Sequence, residues 1–273
     1  MPLKHILVHL DSSSNVESRL NAAIALAKQH GAFLRGLFAQ PDRIATSVVA
    51  RRPSDHLAQA AAKSEALFRT KTQEAGVPSE WHALAHGEYN HVIRETIIWS
   101  RFADLTILSQ YDRDQAEGAA PEELAEQVVL NAGRPVLVVP YAGLFPHIGK
   151  RVVVAWNAER EASRALADAI PFLTQASEVT VITVLTQASA QSGDSSRIQL
   201  ADHLRLHGVK AEQTHFTVSD IGAMDALLAQ AVDLGADLLV MGAHGHYTFP
   251  YLHRGSGTRH VLRSAPLPVL LSH

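Results

Sequence analysis

One short run of residues is used twice. Lys4-His5-Ile6-Leu7-Val8-His9-Leu10-Asp11 returns 146 positions later as Lys150-Arg151-Val152-Val153-Val154-Ala155-Trp156-Asn157. Ala103-Asp104-Leu105 returns as Ala236-Asp237-Leu238, and Arg134-Pro135-Val136-Leu137-Val138 as Leu267-Pro268-Val269-Leu270-Leu271, both 133 positions later. A chain that repeats its apolar runs in the same order is constrained to fold as two similar units in tandem. The 13-residue difference between the two offsets falls between the first and fourth strands, and the Ala-rich pattern from Ala58 to Ala66 places it in the second helix of the first half.

Within each half, short β-rich runs alternate with longer helical patterns, the signature of βαβ units and a mostly parallel sheet. The fold class is therefore α/β. Strands are expected near Ile6–Leu10, Phe33–Phe38, Glu80–Leu84, Asp104–Leu108 and Pro135–Val139, then near Val152–Trp156, Val179–Val184, Lys210–Thr217, Leu238–Met241 and Pro268–Leu271. Helical spacing from Asn15 to Gln29 puts Leu20, Ala23, Ile24 and Ala27 on one face, a stripe that covers a sheet. Pro140 and Pro146 with Gly143 and Gly149 punctuate a linker over 141–149, so the expected domains are 1–140 and 150–273.

Composition narrows the function classes. The 273 residues include 24 Lys+Arg against 27 Asp+Glu, a net charge of −3 with no basic block, which disfavours nucleic acid as a partner. With no Cys there is no disulfide, thiol chemistry or Cys-rich zinc site. The apolar run Ile6-Leu7-Val8 is far too short for a signal or membrane helix, so no membrane role and a cytoplasmic location are expected.

The chemistry concentrates in one segment. The run Leu238-Leu239-Val240-Met241 reads as a buried strand, and after it Gly242, Gly245, Gly255 and Ser256 form the pattern G-x2-G-x9-G-S before a helix. Glycines at 242 and 245 let the main chain turn sharply and leave no Cβ between backbone and ligand. Gly255, Ser256 and Gly257 open a helix whose unpaired N–H groups and dipole suit phosphate oxygens, and the hydroxyls of Ser256 and Thr258 add donors. Ligands of open α/β sheets bind beyond the carboxyl ends of strands where strand order reverses, and Gly242 and Asn157 both stand at such ends. Asp237 stands at the opposite end of its strand, away from that position. His244, His246, His253 and His260 crowd the segment, but no carboxylate joins them and no metal site is assigned. Arg254 and Arg259 are either solvated surface or phosphate contacts. Trp156 is read first as packing under the sheet rim.

These motifs resemble the universal stress protein family, specifically its tandem two-domain members, over nearly the whole length. The resemblance implies two Rossmann-like, five-stranded open parallel sheets of strand order 3-2-1-4-5, and a stress-response or regulatory role. It implies an adenine nucleotide as ligand: ATP with or without magnesium, or ADP or AMP. Residue by residue, it implies that Ala155, Trp156 and Asn157 flank the nucleoside and that Val184 meets the adenine. Met241, Gly242, His244 and Gly245 would line the ribose and phosphate turn, while Gly255, Ser256, Gly257 and Thr258 would grip the phosphates. The family usually has Asp at the position of Asn157, so the ribose contact here lacks that charge. The resemblance also implies that the last strands of the two halves pair as an intramolecular pseudo-dimer, with a homodimer of chains as a further option.

Read across at the same spacing, Gly242, Gly245, Gly255 and Ser256 fall on Ser109, Asp112, Glu122 and Glu123. The first half has none of the glycines, and its two glutamates are expected to satisfy the fourth helix dipole and repel a triphosphate. One nucleotide site per chain is expected, in the second half. The competing readings are a slow ATP hydrolase, for which no positioned base is apparent, and an interaction module without ligand. The Walker pattern is absent, and the glycine run lacks the last glycine of a dinucleotide fingerprint.

Overall fold

The computed structural model describes residues 2–42, 53–114, 118–185, 194–217, 222–245 and 255–273. The chain divides into two compact units, Pro2–Pro146 and a second over His147–His273.

In the first unit the order is β1 (His5–Leu10), α1 (Val16–His30), β2 (Phe33–Phe38), α2 (Asp55–Ala75), β3 (Ser79–Ala83), α3 (Tyr89–Ser100), β4 (Leu105–Ser109), α4 (Leu124–Asn131) and β5 (Val136–Val139). The second unit runs β6 (Arg151–Trp156), α5 (Arg160–Leu173), β7 (Glu178–Leu185), α6 (Asp194–Leu206), β8 (Glu212–Thr217), α7 (Ala223–Asp233), β9 (Leu238–Gly242), α8 (Ser256–Ser264) and β10 (Val269–Ser272). The strands of the first unit lie in the order β3-β2-β1-β4-β5, and those of the second in the order β8-β7-β6-β9-β10. Neighbouring strands within each unit are parallel. All ten expected strands are present, with ends displaced by at most two residues.

Parallel strands covered on both faces must be apolar along their whole length. Ile6, Leu7, Val8 and Leu10 of β1 are fully buried, as are Leu238, Leu239 and Val240 of β9. α1 lays Leu20, Ala23 and Ala27 against the first sheet as its spacing requires. The extra length of the first unit lies between β2 and β3, where α2 begins at an N-cap: Ser54 Oγ accepts from Leu57 N. Phe68 of α2 packs on the face of β2 that Gly36 leaves bare and against Trp81 of β3, ring centroids 5.5 Å apart.

The repeated Asp has a structural role at the amino ends of the strands. Asp104 Oδ2 accepts from Lys4 N and His5 N at 2.8 and 3.0 Å. Asp237 Oδ1 accepts from Gly149 N, Lys150 N and Arg151 N at 2.8, 3.0 and 3.1 Å. Each carboxylate thus fixes where the central strand of its unit starts. Within β1, His9 is buried and its Nε2 donates to the Ala39 carbonyl at 2.6 Å, tying the centre of the sheet to the chain leaving β2. Burial pushes the His9 imidazole down to about 4, with opposing contributions from Asp11 and Arg19.

Two outcomes follow. Asp237→Ala strands three backbone donors and should cost about 1–3 kcal/mol in chemical denaturation, whereas Asp237→Asn retains part of it. His9 is neutral in the folded unit while an unfolded His9 titrates near ~6.5, so the unfolded state binds the extra proton between the two values. Its stabilising contribution is full above the unfolded value and is lost as pH falls toward 4, by about 3 kcal/mol at most. Denaturation midpoints across that range should fall in the parent and flatten in His9→Gln.

Candidate functional site

β6 and β9 are neighbours in the register Val152↔Leu238, Val153↔Leu239 and Val154↔Val240, so Trp156 and Gly242 end at the same rim of the sheet. The strand order reverses between them, with β7 and β8 on one side and β10 on the other. This is the position at which open α/β sheets hold ligands.

The glycines of the motif are required first by the protein's own packing. A Cβ on Gly242 would run into the backbone of Glu161 and Ala162, in the first turn of α5. Gly255 is the N-cap of α8 with φ 80°, and a Cβ there would strike Nδ1 of His244. His244 itself adopts φ 54° and is buried, and its N–H donates to Thr258 Oγ1 at 2.8 Å. That bond stitches the glycine turn to the first turn of α8. The structure thereby brings together Met241, Gly242, His244, Gly245, Gly255, Ser256, Gly257 and Thr258.

On the other side of the reversal, Ala155 and Trp156 close β6 half-buried, and Asn157 is exposed with Oδ1 accepting from Glu159 N at 3.1 Å. The side chain of Val184 lies outside the described residues, as do His246, His253 and Arg254. Two polar atoms, Trp156 Nε1 and Ser256 Oγ, are buried without a hydrogen-bond partner. Buried polar groups are paired in the great majority of cases, and the equivalent rim of the first unit also has two exceptions, on Arg19. α8 begins with no acidic residue in its first turn and no side-chain cap.

Glu161 was invisible to motif reading. It is buried, and its Oε2 lies 3.4 Å from the place a Cβ on Gly245 would occupy. Burial raises its pKa, but its own backbone N–H and Arg160 outweigh this and hold the carboxyl below its ordinary value. Arg160 Nη2 lies 3.0 Å from Oε1. In the repeat register Glu161 corresponds to Asn15, whose Nδ2 donates to Ser109 Oγ at 2.6 Å; only that comparison between the halves marks the acid as a difference.

The equivalent rim of the first unit is built differently. Between the ends of β1 and β4 lies a cleft of about 440 Å³, partly open solvent, lined in part by Asp11, Ser13, Asn15, Arg19, Ser109 and Glu122. Asp11 is buried and paired with Arg19 at 2.7 Å, and it also accepts from Ser13 and from Ala120 N. Burial alone would raise its carboxyl; Arg19, followed by His9 and Ser13, holds it below the usual range. Arg19 Nε and Nη1 are buried without partners, a desolvation cost that the ion pair must offset. In the repeat register Arg19 corresponds to the buried Ala165. Glu122 and Glu123 stand just before α4, Glu123 as its N-cap residue, where the sequence places their negative charge. Glu123 makes no side-chain cap bond and accepts from Tyr89 Oη at 2.6 Å, while Glu122 pairs with Arg113 at 2.7 Å. Partners nearer to hand than the helix N–H groups take both carboxylates. Among the described residues, no group of three His, Asp or Glu side chains is arranged to hold a metal ion.

A sequence profile of the universal stress protein family matches residues 2–140 and 149–273. Among solved structures, a universal stress protein from Archaeoglobus fulgidus DSM 4304 is similar at 20% identity and a TM-score of 0.72, covering 98% of this chain and 97% of its own. A functionally unknown protein from Pseudomonas aeruginosa PAO1 is similar at 16% identity and a TM-score of 0.64, covering 99% and 92%. A further universal stress protein from Archaeoglobus fulgidus, solved in complex with dAMP, aligns with 50% of this chain and 98% of its own at 19% identity and a TM-score of 0.36. No curated protein matches the chain. With the profile matched once in each half, the chain belongs to the universal stress protein family as a tandem member.

Proposed function

We propose that this protein binds one adenine nucleotide per chain, at the rim where β6 and β9 end, and acts in stress response as a nucleotide-dependent regulatory protein. The observation that carries the reading is the start of α8. Its N-cap is a glycine, its first turn holds no acid, and among the described residues no side chain caps it, so its N–H groups and positive dipole end suit an anion. The counterpart helix α4 is preceded by Glu122 and by Glu123 as its N-cap, and has Glu126 in its first turn, which sets negative charge at the same place. The buried donors Trp156 Nε1 and Ser256 Oγ add unspent hydrogen-bonding capacity beside β6 and α8.

In this reading Ala155, Trp156, Asn157 and Val184 flank the nucleoside, Met241, Gly242, His244 and Gly245 form the turn beneath ribose and phosphate, and Gly255, Ser256, Gly257 and Thr258 hold phosphate. Gly242 contributes by letting the turn lie close to α5, so its replacement would test folding before binding. The first unit contributes no second site, because Asp11 is committed to Arg19. Among the described residues no helix is long and apolar enough to cross a membrane; the cytoplasm is part of the proposal.

The decisive variant is Ser256→Glu, which installs the first unit's residue at the start of α8. Calorimetric titration of the full chain with AMP and ATP should give close to one site, and Ser256→Glu should weaken binding by at least about tenfold, since a carboxylate near a phosphate costs about 1–3 kcal/mol at an effective dielectric near 20–40. Its melting temperature should stay close to the parent's. Two sites per chain, or affinity indifferent to Ser256→Glu, would contradict the assignment, and sustained phosphate release from ATP would favour a hydrolase instead.

A further inference from the structure

We infer that Glu161 makes the second unit's site selective for low phosphate charge, so that it takes a nucleoside monophosphate in preference to the triphosphate. This rests on the nucleotide reading above and narrows it. Glu161 sits in the first turn of α5, its backbone against Gly242 and its Oε2 3.4 Å from the Cβ direction of Gly245. The side chain is only 3% exposed, so water does little to screen it, and the packing of Gly242 on the same turn fixes where it stands. Its ion-pair partner Arg160 is 73% exposed and shares its charge with solvent, and His273 adds a smaller favourable interaction.

A phosphate held by the amides around Gly245 and the start of α8 therefore lies within a few ångströms of a fixed, buried negative charge. The attraction offered by α8 corresponds to about half an elementary charge, against the full charge of Glu161, so at comparable distance the pair is net repulsive to each phosphate within its reach. Repulsion from Glu161 grows with every phosphate added. A carboxylate placed against a phosphate turn is thus a discriminating element: it weakens the more highly charged competitor more than the monophosphate. In the first unit the same place is held by the neutral Asn15, engaged with Ser109, so the fold does not need an acid there.

The test is a competition titration of the full chain with AMP and ATP in EDTA, on the parent, Glu161→Gln and Glu161→Asn. Gln preserves the shape of the side chain, and Asn is the residue that the first unit already carries at this position. The parent should bind AMP at least about tenfold more tightly than ATP. Both variants should bring the two affinities to within about threefold, through tighter ATP binding rather than weaker AMP binding. Magnesium, which neutralises part of the ATP charge, should narrow the gap in the parent. A parent that prefers ATP in EDTA, or an AMP-to-ATP ratio unmoved in both variants, overturns the role of Glu161 and leaves nucleotide binding standing. If the parent binds neither nucleotide, the site assignment falls and this inference falls with it.

Discussion

The end of β9 can lie against the first turn of α5 only because Gly242 has no Cβ. That one close approach sets the path of the chain beyond the sheet and holds the carboxylate of Glu161 beside Gly245. From there His244, in a left-handed conformation that few non-glycine residues adopt, turns its N–H to Thr258 and packs its ring where Gly255 leaves room. The glycine motif is therefore two things at once. It is a packing device that brings a strand end, a turn and a helix start together, and with glycine as its N-cap α8 starts without a side-chain cap among the described residues.

The two units show what happens when that device is kept or lost on one fold. In the second, a neutral Asn157 lies exposed at the end of β6, and Ala165 is buried where the first unit has an arginine. In the first, Asp11 and Arg19 form a buried ion pair at the corresponding rim, and the helix start carries glutamates. The substitutions are linked physically. A buried aspartate needs a partner, and Arg19 supplies it, whereas Asn157 with Ala165 leaves no charge to neutralise. In the proposed reading, the acidic charge of the first rim is already paired from within, and the start of α8 in the second is where an anion would bind.

The sheets were legible because buried parallel strands read as short apolar runs, and the internal repeat fixed their order. The glycine pattern falls at the rim where strand order reverses, and the register of β6 on β9 puts the ends of the two strands side by side. What escaped was charge that is neither in a motif nor on an apolar stripe. Glu161 looks like an ordinary first-turn acid of a helix, and Arg19 like an ordinary solvated residue, until the fold buries both. The glutamates before α4 were legible as negative charge at a helix start; that Tyr89 and Arg113 take their oxygens was not. Such choices depend on which side chains the tertiary fold brings near, and local sequence does not encode that.

The central claim is that the two rims differ in kind, one open to an anion and one closed by its own charges. A crystal structure of the full chain grown with AMP tests it directly. The account requires density for the nucleotide between the ends of β6 and β9, with phosphate against Gly245 and the start of α8, and an unchanged Asp11–Arg19 pair in the first unit. Nucleotide density between β1 and β4, with that pair broken, would contradict it.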